Sequence, residues 1–217
     1  MPDSSKPKRS YTSTRRKLQA NETRRMIVKA ARKLFYELGF TNATIDAIAQ
    51  EAGVAAETIY AIFGNKHAIL MNLIQVTLVG DDENVPLLER PYIKDALNET
   101  DQLQLIKKFA SDMYTIMQRM SPLFALLRST AKTDPEIMAL LNKLLMERLG
   151  GMSFFVNQLS RIGPLKEQIL TDQAQVTVWA ISSAEVFTLM TQDLGWSKGE
   201  YITWLSSSLE RLLIPGQ

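Results

Sequence analysis

Eight basic residues lie within the first 25 positions: Lys6, Lys8, Arg9, Arg15, Arg16, Lys17, Arg24 and Arg25. Positive charge at this density suits contact with the phosphates of a polyanion. The net charge of +2 hides an uneven distribution. Residues 1–70 carry twelve Lys and Arg against six Asp and Glu, whereas residues 71–217 carry thirteen against seventeen. An acidic body with a basic end fits a protein that must place that end on nucleic acid. Other chemistry is poorly supplied. There is no Cys, and the single His is His67. Thiolate sites, His-cluster metal sites and His-based catalysis therefore lack their residues. The sequence also offers no Gly-rich phosphate loop and no carboxylate–His metal spacing. It predicts a binding protein, not an enzyme, with no metal and no cofactor.

The stretch 44–63, TIDAIAQEAGVAAETIYAIF, reads as two short helices pinched around a turn. Thr44 is placed to cap the first helix with its side-chain oxygen. Ile45, Ile48, Ala49 and Ala52 then share one face, and small Ala49 admits a close helix crossing. Gly53 stands where the backbone must turn sharply, with positive φ available at no steric cost. Val54, Ile59 and Phe63 give the second helix an inward face and leave Ala56, Glu57, Tyr60 and Ala61 outside. This is the arithmetic of a helix-turn-helix, whose second helix enters a DNA major groove.

The flanks agree. Met26, Ile27, Ala30, Ala31, Leu34, Phe35 and Leu38 recur at helical spacing and predict a helix over 21–38. Gly39 ends it, and Phe40 can fold back on Phe35. Asn65 is placed to cap an apolar helix over 66–79. Taken in order, RMIVKAARKLFYELGF, TIDAIAQEAGV, TIYAIF and NKHAIL resemble the DNA-binding head of tetracycline-repressor (TetR) family regulators. The resemblance covers residues 21–79 by motif. It implies an all-α fold of about nine helices: an N-terminal helix-turn-helix head and a C-terminal helical domain for ligand binding and dimerisation. The expected divisions are a basic flexible tail (1–20), the head (21–80) and the regulatory and dimerisation domain (81–217).

The resemblance also assigns roles. Thr44, Thr58, Tyr60 and Lys66 fall where the family contacts phosphate, and their hydroxyls and ammonium suit it. Ala56, Glu57 and Ala61 fall at the base edges. Glu57 can accept from a cytosine amine and the alanines can touch thymine methyls, but no bidentate Arg, Asn or Gln is present. Family members often carry Ser at position 55 and Tyr or His at 62; here these are Ala55 and Ile62. The first removes a helix cap and the second a polar group. More of the specificity is therefore expected from DNA shape and from the tail as an arm, with Arg9, Arg15, Arg16 and Lys17. As a free segment the tail is a disordered, solvated stretch. His67 reads as a solvated surface residue, with contact to a phosphate as the alternative.

The remainder reads as helical. Pro86, Pro91 and the acidic run from Asp81 mark a loop. A helix is expected over 101–120, and Ser121 with Pro122 is expected to start another. Asp134 and Pro135 open one reaching 161, with a possible bend at Gly150 and Gly151. A further helix runs from Thr171 or Asp172 to Leu194, closed by Gly195. The last carries a capping box, Ser197 with Glu200, and a staple between Trp196 and Tyr201. It stops at Pro215. No apolar run reaches the roughly 18 residues of a membrane span, and no secretory signal is visible. A bacterial cytoplasmic location with no membrane partner is expected.

Apolar stripes on the last two helices either complete the chain's own core or pair with a second copy. In the family they form a four-helix bundle, so Trp179, Phe187, Leu205, Leu209 and Leu212 are expected at a homodimer interface. Met113, Tyr114, Met117, Phe124 and Leu127, with Arg128 for an acid group, are the candidate pocket for a mostly apolar or aromatic effector. Ordinary core filling is the competing account of these side chains. The implied partners are double-stranded DNA with a palindromic operator, a second copy of the chain and a small molecule. The implied action is a dimeric repressor released by that molecule, the 66–79 helix acting as the lever. A ligand-independent or architectural DNA binder, and an activator, remain open.

Overall fold

A computed structural model describes residues 10–79, 91–167 and 169–216. All regular structure among these residues is helical. The chain divides into two compact units, Met1–Gln75 and Val76–Gln217.

In the first unit α1 spans Ser10–Asn42. It starts well before residue 21, so the expected boundary at the end of a flexible tail is not a break in structure. Residues 10–20 contain neither Pro nor Gly, so nothing local stops the helix. Gly39, at φ 79° and ψ 160°, interrupts the helical geometry. The chain turns back there, and Phe40 meets Phe35 with centroids 5.2 Å apart. Then follow α2 (Ile45–Ala52), α3 (Ala56–Phe63) and α4 (Lys66–Val79), which crosses the division after Gln75. Asn65 caps α4 as expected, accepting from the Ala68 amide at 2.8 Å. Ile27, Ala31, Phe35, Ile48, Ile59, Ile69 and Leu70 are fully buried and form the centre of this unit.

The second unit holds α5 (Pro91–Asn98), α6 (Gln102–Thr130), α7 (Pro135–Ile162), α8 (Thr171–Ile181), α9 (Ala184–Thr188), a π-helical turn (Leu189–Asp193) and α10 (Lys198–Leu213). Two expectations change here. Pro122 does not start a helix; α6 runs through it. Met120, Ser121, Leu123 and Phe124 around it are all buried, so packing outweighs the hydrogen bond that a mid-helix proline forfeits. The helix expected from 171 to 194 is broken at Ser182 and Ser183. The Ser182 hydroxyl donates back to the Val178 carbonyl at 2.6 Å, and the Ser183 hydroxyl accepts from the Val186 amide to start α9. Serine side chains compete with the helical ladder in this way. The helix α5 was not anticipated at all.

Caps read from the sequence are present. Asp134 accepts from Glu136 and Ile137, and Ser197 with Glu200 forms the capping box; Asp101, which the sequence does not single out as a cap, accepts from the Leu103 amide at 2.7 Å. Trp196 packs edge-on against Trp204, with centroids 6.0 Å apart. Helix α7 continues through Gly150 and Gly151. Its end is held by Gln102, whose amide donates to the Leu159 carbonyl at 3.0 Å. The centre of this unit is Leu105, Ile106, Leu123, Leu127, Val156, Tyr201, Leu205 and Leu209, all essentially unexposed.

Candidate nucleic-acid interface

Local sequence sets the geometry of 44–63. The Thr44 hydroxyl accepts from the Ala47 amide at 3.1 Å and caps α2. Gly53 lies in the left-handed region, φ 68° and ψ 33°, which a side chain would make costly. The Val54 amide donates to the Ala49 carbonyl at 3.0 Å and closes the end of α2. Ala55 begins α3 with no side-chain cap, as its residue type dictates. Ile48, Ala49, Ala52 and Ile59 are buried, and they fix the two helices against the rest of the unit.

The outer face of α3 is left open. Glu57, Tyr60 and Ala61 are exposed, Tyr60 at 55%, while Ala56 and Thr58 are half-buried. Thr44 is exposed at the start of α2. Lys66 has a second role that its residue type did not reveal. Its ammonium donates to the carbonyls of Phe40 at 2.6 Å and Thr41 at 3.2 Å, and it lies 4.5 Å from the centre of the Phe40 ring. The start of α4 is thus clamped to the end of α1, which has carbonyls to satisfy. His67 is not a freely solvated surface residue: it is half-buried, with its ring edge-on to Phe40 at 5.1 Å. Arg24 of α1 stands over Phe63 at 4.8 Å, so α1 also holds the end of α3. Of the expected arm, Arg9 lies outside the described residues. Arg15, Arg16 and Lys17 lie on the helical backbone of α1.

In the second unit the expected pocket residues separate. Met113, Met117 and Leu127 are buried. Tyr114 packs against Phe187 and Tyr201, with centroids 5.5 and 5.8 Å away. Phe124 and Arg128 instead border a cavity of about 10 Å³, together with Arg148, Trp179, Ser183 and Glu185. That is room for about one water. Arg128 pairs with Glu185 across it.

Arg148 is the residue that sequence reasoning missed. It donates to the Trp179 carbonyl and the Ser182 hydroxyl, both at 2.8 Å, and its guanidinium faces the Trp179 ring at 5.5 Å. It therefore holds the break between α8 and α9. Burial pulls its pKa down to about 10. Burial likewise pushes the Tyr201 phenol up to about 12, partly offset by the Arg148 charge. The available signal was an Arg standing on the apolar stripe of Leu141, Leu145, Met152 and Leu159.

The expected dimer residues also separate. Phe187, Leu205 and Leu209 are buried in the chain's own core and have no surface to offer a partner. Leu212 is exposed, and Trp179 is half-buried against Arg148. Helical spacing marks the apolar positions; it does not say which neighbour covers them. No helix among the described residues is long and apolar enough to cross a membrane. No cluster of three His, Cys, Asp or Glu suited to a metal ion occurs among them.

Residues 27–73 match the family described as bacterial regulatory proteins, tetR family. The chain is 40% identical over 65 residues to the HTH-type transcriptional regulator HbdR of Aromatoleum sp., which covers 30% of this chain and 28% of HbdR. It is 33% identical over 100 residues to the HTH-type transcriptional regulator TtgR of Pseudomonas putida, covering 46% of this chain and 45% of TtgR. These alignments span less than half the length of either relative. The fold extends further. The fatty acid degradation regulator FadR from Bacillus halodurans superposes with a TM-score of 0.69 at 20% identity, over 86% of this chain and 94% of that one. TylP, a TetR regulator from Streptomyces fradiae, superposes at 0.58 and 17% identity, over 90% and 88%. Residues 27–73 thus carry a tetR-family helix-turn-helix head, and the chain as a whole shares the all-helical fold of these solved structures.

Proposed function

We propose that this chain is a sequence-specific DNA-binding transcriptional regulator that acts as a homodimeric repressor and leaves its operator when a small molecule binds the C-terminal unit. The observation that carries this is the outer face of α3, where Glu57, Tyr60 and Ala61 are exposed on a helix fixed from behind. Thr44, Thr58, Tyr60 and Lys66 position the head on phosphates. Glu57 and the alanines Ala56 and Ala61 meet base edges. The start of α1, with Arg15, Arg16 and Lys17, adds phosphate contact. A second copy pairs through the surface that includes Trp179 and Leu212, with exposed Val176 and Leu189 beside them in sequence order. A dimer doubles the contact and sets heads about 34–36 Å apart. An effector that prefers another spacing weakens DNA binding by linkage; nearly complete release takes about 5.5 kcal/mol of differential affinity.

The deciding experiment is sequencing of genomic fragments captured by the purified protein at near-physiological salt. A palindrome with half-sites about one turn apart is expected. Capture without a motif, lost steeply as salt rises, would mean that phosphate contacts dominate and would overturn the sequence-specific repressor.

A further inference from the structure

The helix-turn-helix has the opposite charge to the one expected of a surface that meets DNA. From Ile45 to Asn65 there is no Lys or Arg, and there are three acids, Asp46, Glu51 and Glu57. Lys33 of α1 answers Glu51 at 2.9 Å, and Asp46 belongs to α2. Glu57 stands on α3 itself, exposed, and among the described residues no cation pairs with it. The cations of this unit lie elsewhere. Arg24, Arg25, Lys29 and Arg32 are exposed on α1. Lys66, the first cation after α3, donates to the carbonyls of Phe40 and Thr41. Around Glu57 the outer face of α3 offers the methyls of Ala56 and Ala61 and the phenol of Tyr60. A carboxylate here is repelled by phosphates and by the acceptors O6 and N7 of guanine. Adenine sets its N7 acceptor beside its N6 donor. Cytosine presents its N4 amine with no acceptor beside it on the same base, so it is the base that a carboxylate tolerates best.

We propose that Glu57 is a specificity-determining residue that acts by rejection: its carboxylate lowers affinity for all DNA, and the penalty is relieved where a cytosine N4 amine faces it. The cations of α1 attract any duplex, because phosphates carry no sequence information. Glu57 subtracts from that attraction unevenly, so discrimination comes from a repulsive group as well as from matched contacts. Ala56 and Ala61 have no side-chain donor with which to offset the carboxylate at a wrong base. This role rests on the reading of α3 as the DNA-contacting helix given above.

Two measurements on the full chain test it: anisotropy titration of a labelled duplex of scrambled sequence, and selection from a random duplex library. Glu57→Gln and Glu57→Ala should each bind the scrambled duplex at least about fivefold tighter at fixed salt, the gain shrinking as salt rises. The parent should select cytosine at one position of each half-site. Glu57→Ala should leave that position degenerate, and Glu57→Gln should move it towards adenine, whose N6 and N7 suit an amide. The remaining positions should not change. Residue 57 is exposed, so both variants keep the fold. Unchanged or weaker binding of the scrambled duplex by Glu57→Ala would overturn the proposal. So would a motif that both variants retain in full, and either result leaves a sequence-specific regulator standing. A parent that selects no motif overturns the regulator itself, and the filter with it.

Discussion

Replacing Gly150 and Gly151 together by alanine stabilises the C-terminal unit. Both glycines lie within α7 and are exposed, and nothing stands within 4 Å of where either Cβ would be. The substitution therefore meets no clash, and its effect is the backbone entropy that glycine loses on folding. Each change should gain about 0.5–1 kcal/mol, and the pair about 1–2. With a urea m value of about 2 kcal/mol/M, the midpoint should rise by about 0.5–1 M. The assay is tryptophan fluorescence, because Trp179, Trp196 and Trp204 all lie in the unit Val76–Gln217. Gly53→Ala is the control of opposite sign. Its Cβ also meets nothing within 4 Å, but φ is 68°, so the left-handed backbone alone should cost about 1–2 kcal/mol. That loss is read from circular dichroism, because the head has no Trp. An unchanged or lower midpoint for the double variant would refute the open-space, helical account of α7. A neutral Gly53→Ala would refute the left-handed turn.

Three further outcomes follow from named contacts. Pro122→Ala restores a backbone donor within α6 and should raise stability by about 1–3 kcal/mol; a lower melting temperature would show that the packing of α6 requires the proline. Lys66→Met removes two hydrogen bonds to carbonyls and a ring contact. It should cost the head about 1–2 kcal/mol, measured by chemical unfolding in the absence of DNA; no loss would mean the clamp is not formed. Burial first, and the neighbouring Asp95 second, raise the Asp112 carboxyl above its ordinary 3.8, with Lys108 opposing. A raised folded pKa means that stability is full below the unfolded value of about pH 3.8 and is lost as pH rises through the higher folded value. Asp112→Asn should therefore be more stable than the parent at about pH 7 and gain nothing at about pH 3; equal gains at both would exclude the carboxylate as the cause.

Helix ends were legible wherever one residue decides them through its own side chain or its own φ. Gly39 and Gly53 take positive φ. Thr44, Asn65, Asp134 and Ser197 accept the amides that their positions offer. Pro122 and the Ser182–Ser183 pair were misjudged because their local preference competes with packing. At Pro122 the surrounding core won. At the two serines, side-chain hydrogen bonds and an Arg from α7 ended a helix that the apolar pattern alone would have continued.

The candidate sites divide along the same line. The outward set on α3 is dictated by the spacing of Ile59 and its neighbours within one short helix, so Glu57, Tyr60 and Ala61 could be placed outside without a structure. The pocket and interface residues depend on which helix covers which stripe. Phe187, Leu205 and Leu209 were candidates for a partner until α6 was seen to pack on α10 in the same chain. Lys66 carries nothing in its neighbourhood to show that it reaches the carbonyls of Phe40 and Thr41, which lie some 25 residues earlier. The sequence by itself determined the all-helical class, the helix-turn-helix with its caps and turn, and the basic end of the chain, because each depends on residues a few positions apart. Only the tertiary structure decided the inward fate of the C-terminal stripes, the clamp by Lys66 and the donor-rich cavity around Arg148, because these depend on groups that folding alone brings together.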